Sequence, residues 1–218
     1  MGNAATNDDE LSSLLKELWE NTIIPLYKKG KIQTERHLQA YLFMLLKNRF
    51  EEKVPKDWDV WVEPQFYFWD KNAGKEGKEK MYKPDLVITR DDKIEGILEL
   101  KFTPQERKRE KNRDAVLSDF DKLVLYGQGS SNFPDPTKAD EFLLELNPCS
   151  GAYDTSDRST RYKRDLKRTK YFFLGIAWFD GFDLEEALLK KAKEGELKGE
   201  FISLLYSTHR EGGKPSEL

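Results

Sequence analysis

The chain has 218 residues, of which 35% are charged and 38% hydrophobic, with a formal net charge of −3 and a pI near 5.7. That length suits one domain with a sizeable core, and the apolar periodicity excludes wholesale disorder. The lone Cys149 excludes an internal disulfide and argues against a cysteine-rich zinc site, and His37 and His209 are too separated to suggest a histidine metal cluster.

The first predicted element is an amphipathic helix. Asn7, Asp8, Asp9 and Glu10 offer a cap and an acidic first turn, Leu11, Leu14, Leu15, Leu18 and Trp19 recur at helical spacing, and the helix is expected to end before Pro25. Residues 1–30 thus read as a helical extension of a single domain spanning 1–218. Thr34 caps a second helix whose buried face is Leu38, Tyr41, Leu42, Leu45, Leu46 and Phe50, with Glu35 in its first turn, where a carboxylate favours the helix dipole. Val60, Val62 and Gln65 to Phe68 suggest a first core strand broken at Pro64, and Lys71 to Lys83 reads as a Gly- and Lys-rich loop.

Leu86 to Thr89 and Ile94 to Phe102 flank the polar break Arg90-Asp91-Asp92-Lys93, the pattern of an antiparallel hairpin. Strict alternation puts Ile94, Gly96, Leu98, Leu100 and Phe102 on one face and Glu95, Ile97, Glu99 and Lys101 on the other. Glu99 and Lys101 then point the same way, roughly 6–7 Å apart. Asp85 follows Pro84 at the entry to the first strand of the hairpin, which can bring its carboxylate beside Glu99. Two carboxylates and an ammonium on one wall suit Mg²⁺ or Mn²⁺ and hydrolysis of a phosphodiester. The same letters also suit a surface ion pair and ordinary turn chemistry.

Pro84-Asp85 followed by Glu99-Leu100-Lys101 resembles the signature of the PD-(D/E)xK nuclease superfamily, which includes restriction endonucleases and repair nucleases. The resemblance spans Gln33 to Phe179. It implies an α/β, restriction-endonuclease-like fold: a central mixed sheet flanked by helices, in the order helix, three strands, helix, strand. It implies that Asp85, Glu99 and the Leu100 backbone carbonyl hold the metal, that Glu35 completes the shell through water, and that Lys101 assists the attacking water. It also implies DNA as substrate and places Asp119 to Leu123 on the helix after the motif.

That later helix carries Val116, Leu117, Phe120, Leu123, Val124 and Tyr126 and ends near Gly127; Ala139 to Leu146 fits either a short helix or a strand. Tyr171 to Phe179 is the next core strand, Asp183 to Lys193 an amphipathic helix, and Phe201 to Tyr206 a short strand. Arg107, Lys108, Arg109, Lys111 and Arg113 form one basic stretch, and Arg158, Arg161, Lys163, Arg164, Lys167, Arg168 and Lys170 a second. Both flank the segments expected around the site and suit contact with a nucleic-acid backbone; a solvated face gives the same pattern.

The longest apolar run is far short of the ~20 residues that span a bilayer, and no secretory signal precedes the first helix, so the expectation is a cytoplasmic protein without a membrane partner. Met1 to Thr6 does match the loose N-myristoylation pattern at Gly2, without a polybasic second anchor. The reading is a metal-dependent nuclease; its alternative is a catalytically inactive nucleic-acid or protein binding module of the same fold. A homodimer or a partner subunit is left open.

Overall fold

The longest strand among the described residues, β5 (Lys93–Thr103), forms the axis around which the other elements are arranged. The structure is a computed structural model, and it describes residues 10–52, 57–64, 66–70, 78–91, 93–104, 109–127, 141–145, 159–164, 168–177, 183–195, 197 and 199–208. On one side β5 pairs antiparallel with β4 (Leu86–Arg90), which pairs antiparallel with β1 (Trp58–Val62). On the other it runs parallel to β8 (Lys170–Ala177), which runs parallel to β9 (Phe201–Ser207). The hairpin of β6 (Glu141–Glu145) and β7 (Ser159–Arg164) joins through β7, parallel to the first residues of β5. Among the described residues the result is a seven-stranded mixed sheet in which β1, β4, β5, β8 and β9 run side by side and β7 with β6 extends it at the start of β5.

Helices cover both faces. On one lie α1 (Glu10–Leu18), α2 (Ile24–Lys28) and α3 (Glu35–Glu52); Leu11, Leu15, Leu38, Leu42 and Leu46 of α1 and α3, with Ile23 between α1 and α2, pack with Leu86, Ile88, Leu98, Leu100, Phe172 and Leu174. On the other, α4 (Arg109–Gly127) and α5 (Asp183–Glu194) bring Val116, Phe120, Leu123, Leu184 and Leu188 against Val87, Ile97, Tyr171 and Phe173. Parallel strands covered on both faces need apolar residues on both, and all eight residues of β8 are buried. The chain is therefore α/β, with its sheet between two helical layers.

Several expectations are corrected. The first helix does not stop before Pro25. A π-helical turn over Trp19–Ile23, closed by the Ile24 N–H on the Trp19 carbonyl, carries the chain on into α2, where Pro25 stands in the first turn. Pro25 has no N–H to return to the turn before it, and the wider π-helical turn takes up that break in the hydrogen-bond ladder. Phe66 to Phe68 do not continue the first core strand: β2 (Phe66–Asp70) pairs instead with β3 (Lys78–Tyr82) in a separate two-stranded sheet, so the expected loop is strand over Lys78–Tyr82, while Gln65 and residues 71–77 lie outside the described residues. Of the undecided segment Ala139 to Leu146, the described residues Glu141–Glu145 form the strand β6.

Alternation along β5 also breaks once. Ile88 pairs with Gly96 but Thr89 pairs with Ile94, which leaves Glu95 as the extra residue of a β-bulge. Ile94 consequently packs on the α4–α5 side, whereas Gly96 lies toward α1. A Cβ on Gly96 would meet Leu11 Cδ2 at 2.9 Å and the Phe172 ring at 3.3 Å, so a larger residue there would make the Leu11 side chain shift.

Candidate functional site

The site forms where β4 stops and β5 continues. The last pair between them is Leu86 with Leu98, so from Glu99 onward the edge of β5 has lost its antiparallel neighbour. Carboxylates take the strand's place. The Leu100 N–H donates to Asp85 Oδ2 at 2.6 Å, and the Phe102 N–H donates to Glu35 Oε2 at 3.1 Å. Both residues are even-numbered, as the alternation of a strand's backbone donors requires. The Leu100 carbonyl leaves the strand on the same edge.

Asp85 is fixed from behind. Its carbonyl accepts from Gln39 Nε2 at 3.0 Å and from the Glu63 N–H at 3.1 Å, and Pro84 before it is buried. Glu35 owes its place to the start of α3, where the Thr34 hydroxyl accepts the His37 N–H at 3.1 Å. Glu35 and Gln39 are one helical turn apart, so both reach the end of the sheet.

Glu99 and Lys101 point to the α4 side. Glu99 is 3% exposed, and its Oε1 is buried without a hydrogen-bond partner. Burial first, and then the Asp85 carboxylate, push its proton affinity well above the ordinary glutamate range. Burial likewise pushes Asp85 up to about 6, against the pull of the Leu100 N–H, and the charges of Glu35 and Asp119 add to the rise. Lys101 Nζ lies 2.5 Å from Asp119 Oδ2 and 3.5 Å from Glu35 Oε2. Burial alone would lower its pKa, but these carboxylates outweigh it and hold the ammonium charged. The same balance works in reverse on Asp119: burial would raise it, and its bonds to Lys101 and Lys122 bring it below the usual aspartate range.

The structure thus brings Asp85, Glu99, Lys101 and Glu35 together. Glu35 is engaged by Lys101 and the Phe102 N–H. Asp119, Lys122 and Gln39 also border the candidate site, and the sequence pattern alone does not single them out. What it offers is spacing: Glu35 and Gln39 four apart, Asp119 and Lys122 three apart, each pair on one helix face. The basic stretches are only partly placed. Arg107, Lys108, Arg158 and Lys167 lie outside the described residues, as do Gly2, Cys149 and His209. Arg109 and Lys111 stand in the first turn of α4, Arg161, Lys163 and Arg164 on β7, and Arg113 and Arg168 are exposed. Lys170 is not part of a basic surface: it is buried and reaches Ser12 Oγ at 2.9 Å and Glu200 Oε2 at 3.0 Å.

Among the described residues no three His, Cys, Asp or Glu side chains are drawn together closely enough to enclose a metal ion by themselves. Two carboxylates of like charge, one with an unpartnered buried oxygen, do fit a hard divalent cation that takes its remaining ligands from water and a phosphate. Comparisons with protein-family models, with curated proteins and with solved structures return no match. Among the described residues no helix is long and apolar enough to cross a membrane.

Proposed function

We propose that this chain is a metal-dependent nuclease that hydrolyses phosphodiester bonds, in DNA, through a site of PD-(D/E)xK type on a restriction-endonuclease-like core. One observation carries the reading: Glu99, buried with an unpartnered oxygen, stands beside a second carboxylate, Asp85, on the strand that also bears Lys101. Leaving two such groups together costs stability, and a cation would offset the cost. A Mg²⁺ or Mn²⁺ ion held by Asp85 and Glu99 would supply an acidified water and neutralise charge on the phosphate. Lys101, kept charged by Asp119 and Glu35, is a donor rather than a base: it orients the attacking water or meets the developing negative charge. With the separate β2–β3 sheet and the inserted β6–β7 pair set aside, the remaining order α3, β1, β4, β5, α4, β8 is helix, three strands, helix, strand, which supports the same reading.

The test is cleavage of linear, nicked and single-stranded DNA, with RNA alongside, in Mg²⁺, in Mn²⁺ and in EDTA. Metal-dependent cutting that disappears in Asp85→Ala is the expected result. A second reading has its own support, because Asp85 and Glu35 each already accept a backbone N–H, the role of structural caps at a strand end. Under that reading the chain is a non-catalytic binding module; no substrate is cut, and calorimetry with Mg²⁺ or Mn²⁺ gives no binding heat.

A further inference from the structure

The site holds two lysines, and their surroundings differ. Lys101 is enclosed: its side chain is 15% exposed and two carboxylates, those of Asp119 and Glu35, lie within 3.5 Å of its ammonium. Lys122 is 42% exposed and has Asp119 Oδ1 at 2.6 Å. Asp119 therefore divides its two oxygens, one to each lysine, and as the lysines sit on β5 and α4 it ties the strand to the helix. Lys122 is also the cation whose charge opposes the crowding of Asp85 and Glu99.

An ammonium has three donors. Around Lys101 the neighbouring negative charge is already in excess, so an incoming anion gains little from it. Lys122 also lies among carboxylates, with Asp119 at 2.6 Å and the charges of Asp85 and Glu99 nearby, but its side chain is 42% exposed, so an anion arriving from water can reach its ammonium. A phosphodiester brought up to Asp85 and Glu99 carries such an anionic oxygen, and the acidic pair would otherwise repel it.

We propose that Lys122 is a substrate-binding residue, the ammonium that meets a backbone phosphate of nucleic acid beside Asp85 and Glu99, and that Asp119 is the positioning residue that holds it there. The proposal rests on the nuclease reading for the identity of the anion. It divides the two lysines by role: Lys122 serves binding, Lys101 serves the chemical step.

The experiment uses the full-length protein and a short fluorescein-labelled DNA duplex. Anisotropy titrations in Ca²⁺ and in EDTA, over a range of KCl, are run beside steady-state cleavage in Mg²⁺. Lys122→Met is expected to raise Kd and KM about tenfold and to lower the salt slope of binding by about one, with kcat little changed. Lys122→Arg restores most of the affinity, and Asp119→Asn weakens binding with an unaltered fold by circular dichroism. Lys101→Met lowers kcat instead and leaves Kd within about twofold, because a group used only in the transition state does not hold the ground state. Wild-type affinity and salt slope in Lys122→Met overturn the proposal. If wild type binds the duplex but cuts nothing, the nuclease reading falls, while the Lys122→Met titration still decides the phosphate contact. If it neither binds nor cuts, both fall.

Discussion

The two faces of β5 past the bulge are built on opposite terms. Toward α1 and α3 the strand presents Leu98, Leu100 and Phe102 to a wholly apolar cluster, where each residue adds stability by leaving water. Toward α4 it presents Ile97, then Glu99 and Lys101, so two residues after a buried isoleucine the same face carries a buried carboxylate with an unpartnered oxygen. Packing explains the first face. The second holds like charges together at a cost that packing alone does not require, and such local cost marks a candidate functional site.

Substitutions on the two faces should therefore have opposite effects. The largest is expected from Glu99→Gln, which should cut metal-dependent cleavage by on the order of 10³ or more while raising the thermal midpoint at pH 8. Leu98→Ala, at a fully buried position on the apolar face, should do the reverse in stability: a loss of about 2–5 kcal/mol in urea unfolding, with cleavage per folded molecule retained. A destabilised Glu99→Gln would remove the distinction.

Asp85 gives the comparison a pH dependence. Its folded-state pKa of about 6 lies above the ordinary 3.8, so the folded state holds the proton more tightly than the unfolded one. Its destabilising effect is absent below about pH 4, grows as pH rises to about 6, and is complete above that. The gap in unfolding free energy between Asp85→Asn and wild type should accordingly widen in favour of the variant by roughly 2–2.5 kcal/mol between pH 4 and pH 7. Measured in the presence of Mg²⁺, the gap should narrow, since an ion that binds only the wild-type pair stabilises only wild type. A gap that stays constant with pH would mean that Asp85 is not held against its charge.

The smallest effect belongs to the cap of α3. Thr34→Ala should cost about 1 kcal/mol by removing the acceptor for the His37 N–H, and it should loosen Glu35 against the Phe102 N–H. Amide exchange at Phe102 faster than in wild type, with exchange at Leu100 unaffected, would separate the two carboxylate caps of β5.

Much of this was legible in the chain because the interactions involved are local. The hairpin, the common face of Glu99 and Lys101, the Thr34 cap and the apolar run of β8 follow from neighbours a few residues apart, whose geometry is set by the period of a strand or the pitch of a helix. The bulge at Glu95 was not legible, since an extra residue is defined only by the register of the partner strand. Nor was the burial of Lys170, whose partners Ser12 and Glu200 are distant in sequence. Pro25 reads as a stop by its own chemistry, and only the π-helical turn before it lets the helix continue.

Residue order along the chain is enough to say which residues carry charge, which strand holds Glu99 and Lys101, and which faces must be buried. The tertiary structure decided the rest of the site. It ended β4 at Leu86 so that Asp85 and Glu35 cap the exposed edge of β5, and it laid α4 across Lys101 so that Asp119 binds both lysines. Chain periodicity says which way a side chain points, whereas the meeting of two groups tens of residues apart depends on where strands end and helices pack.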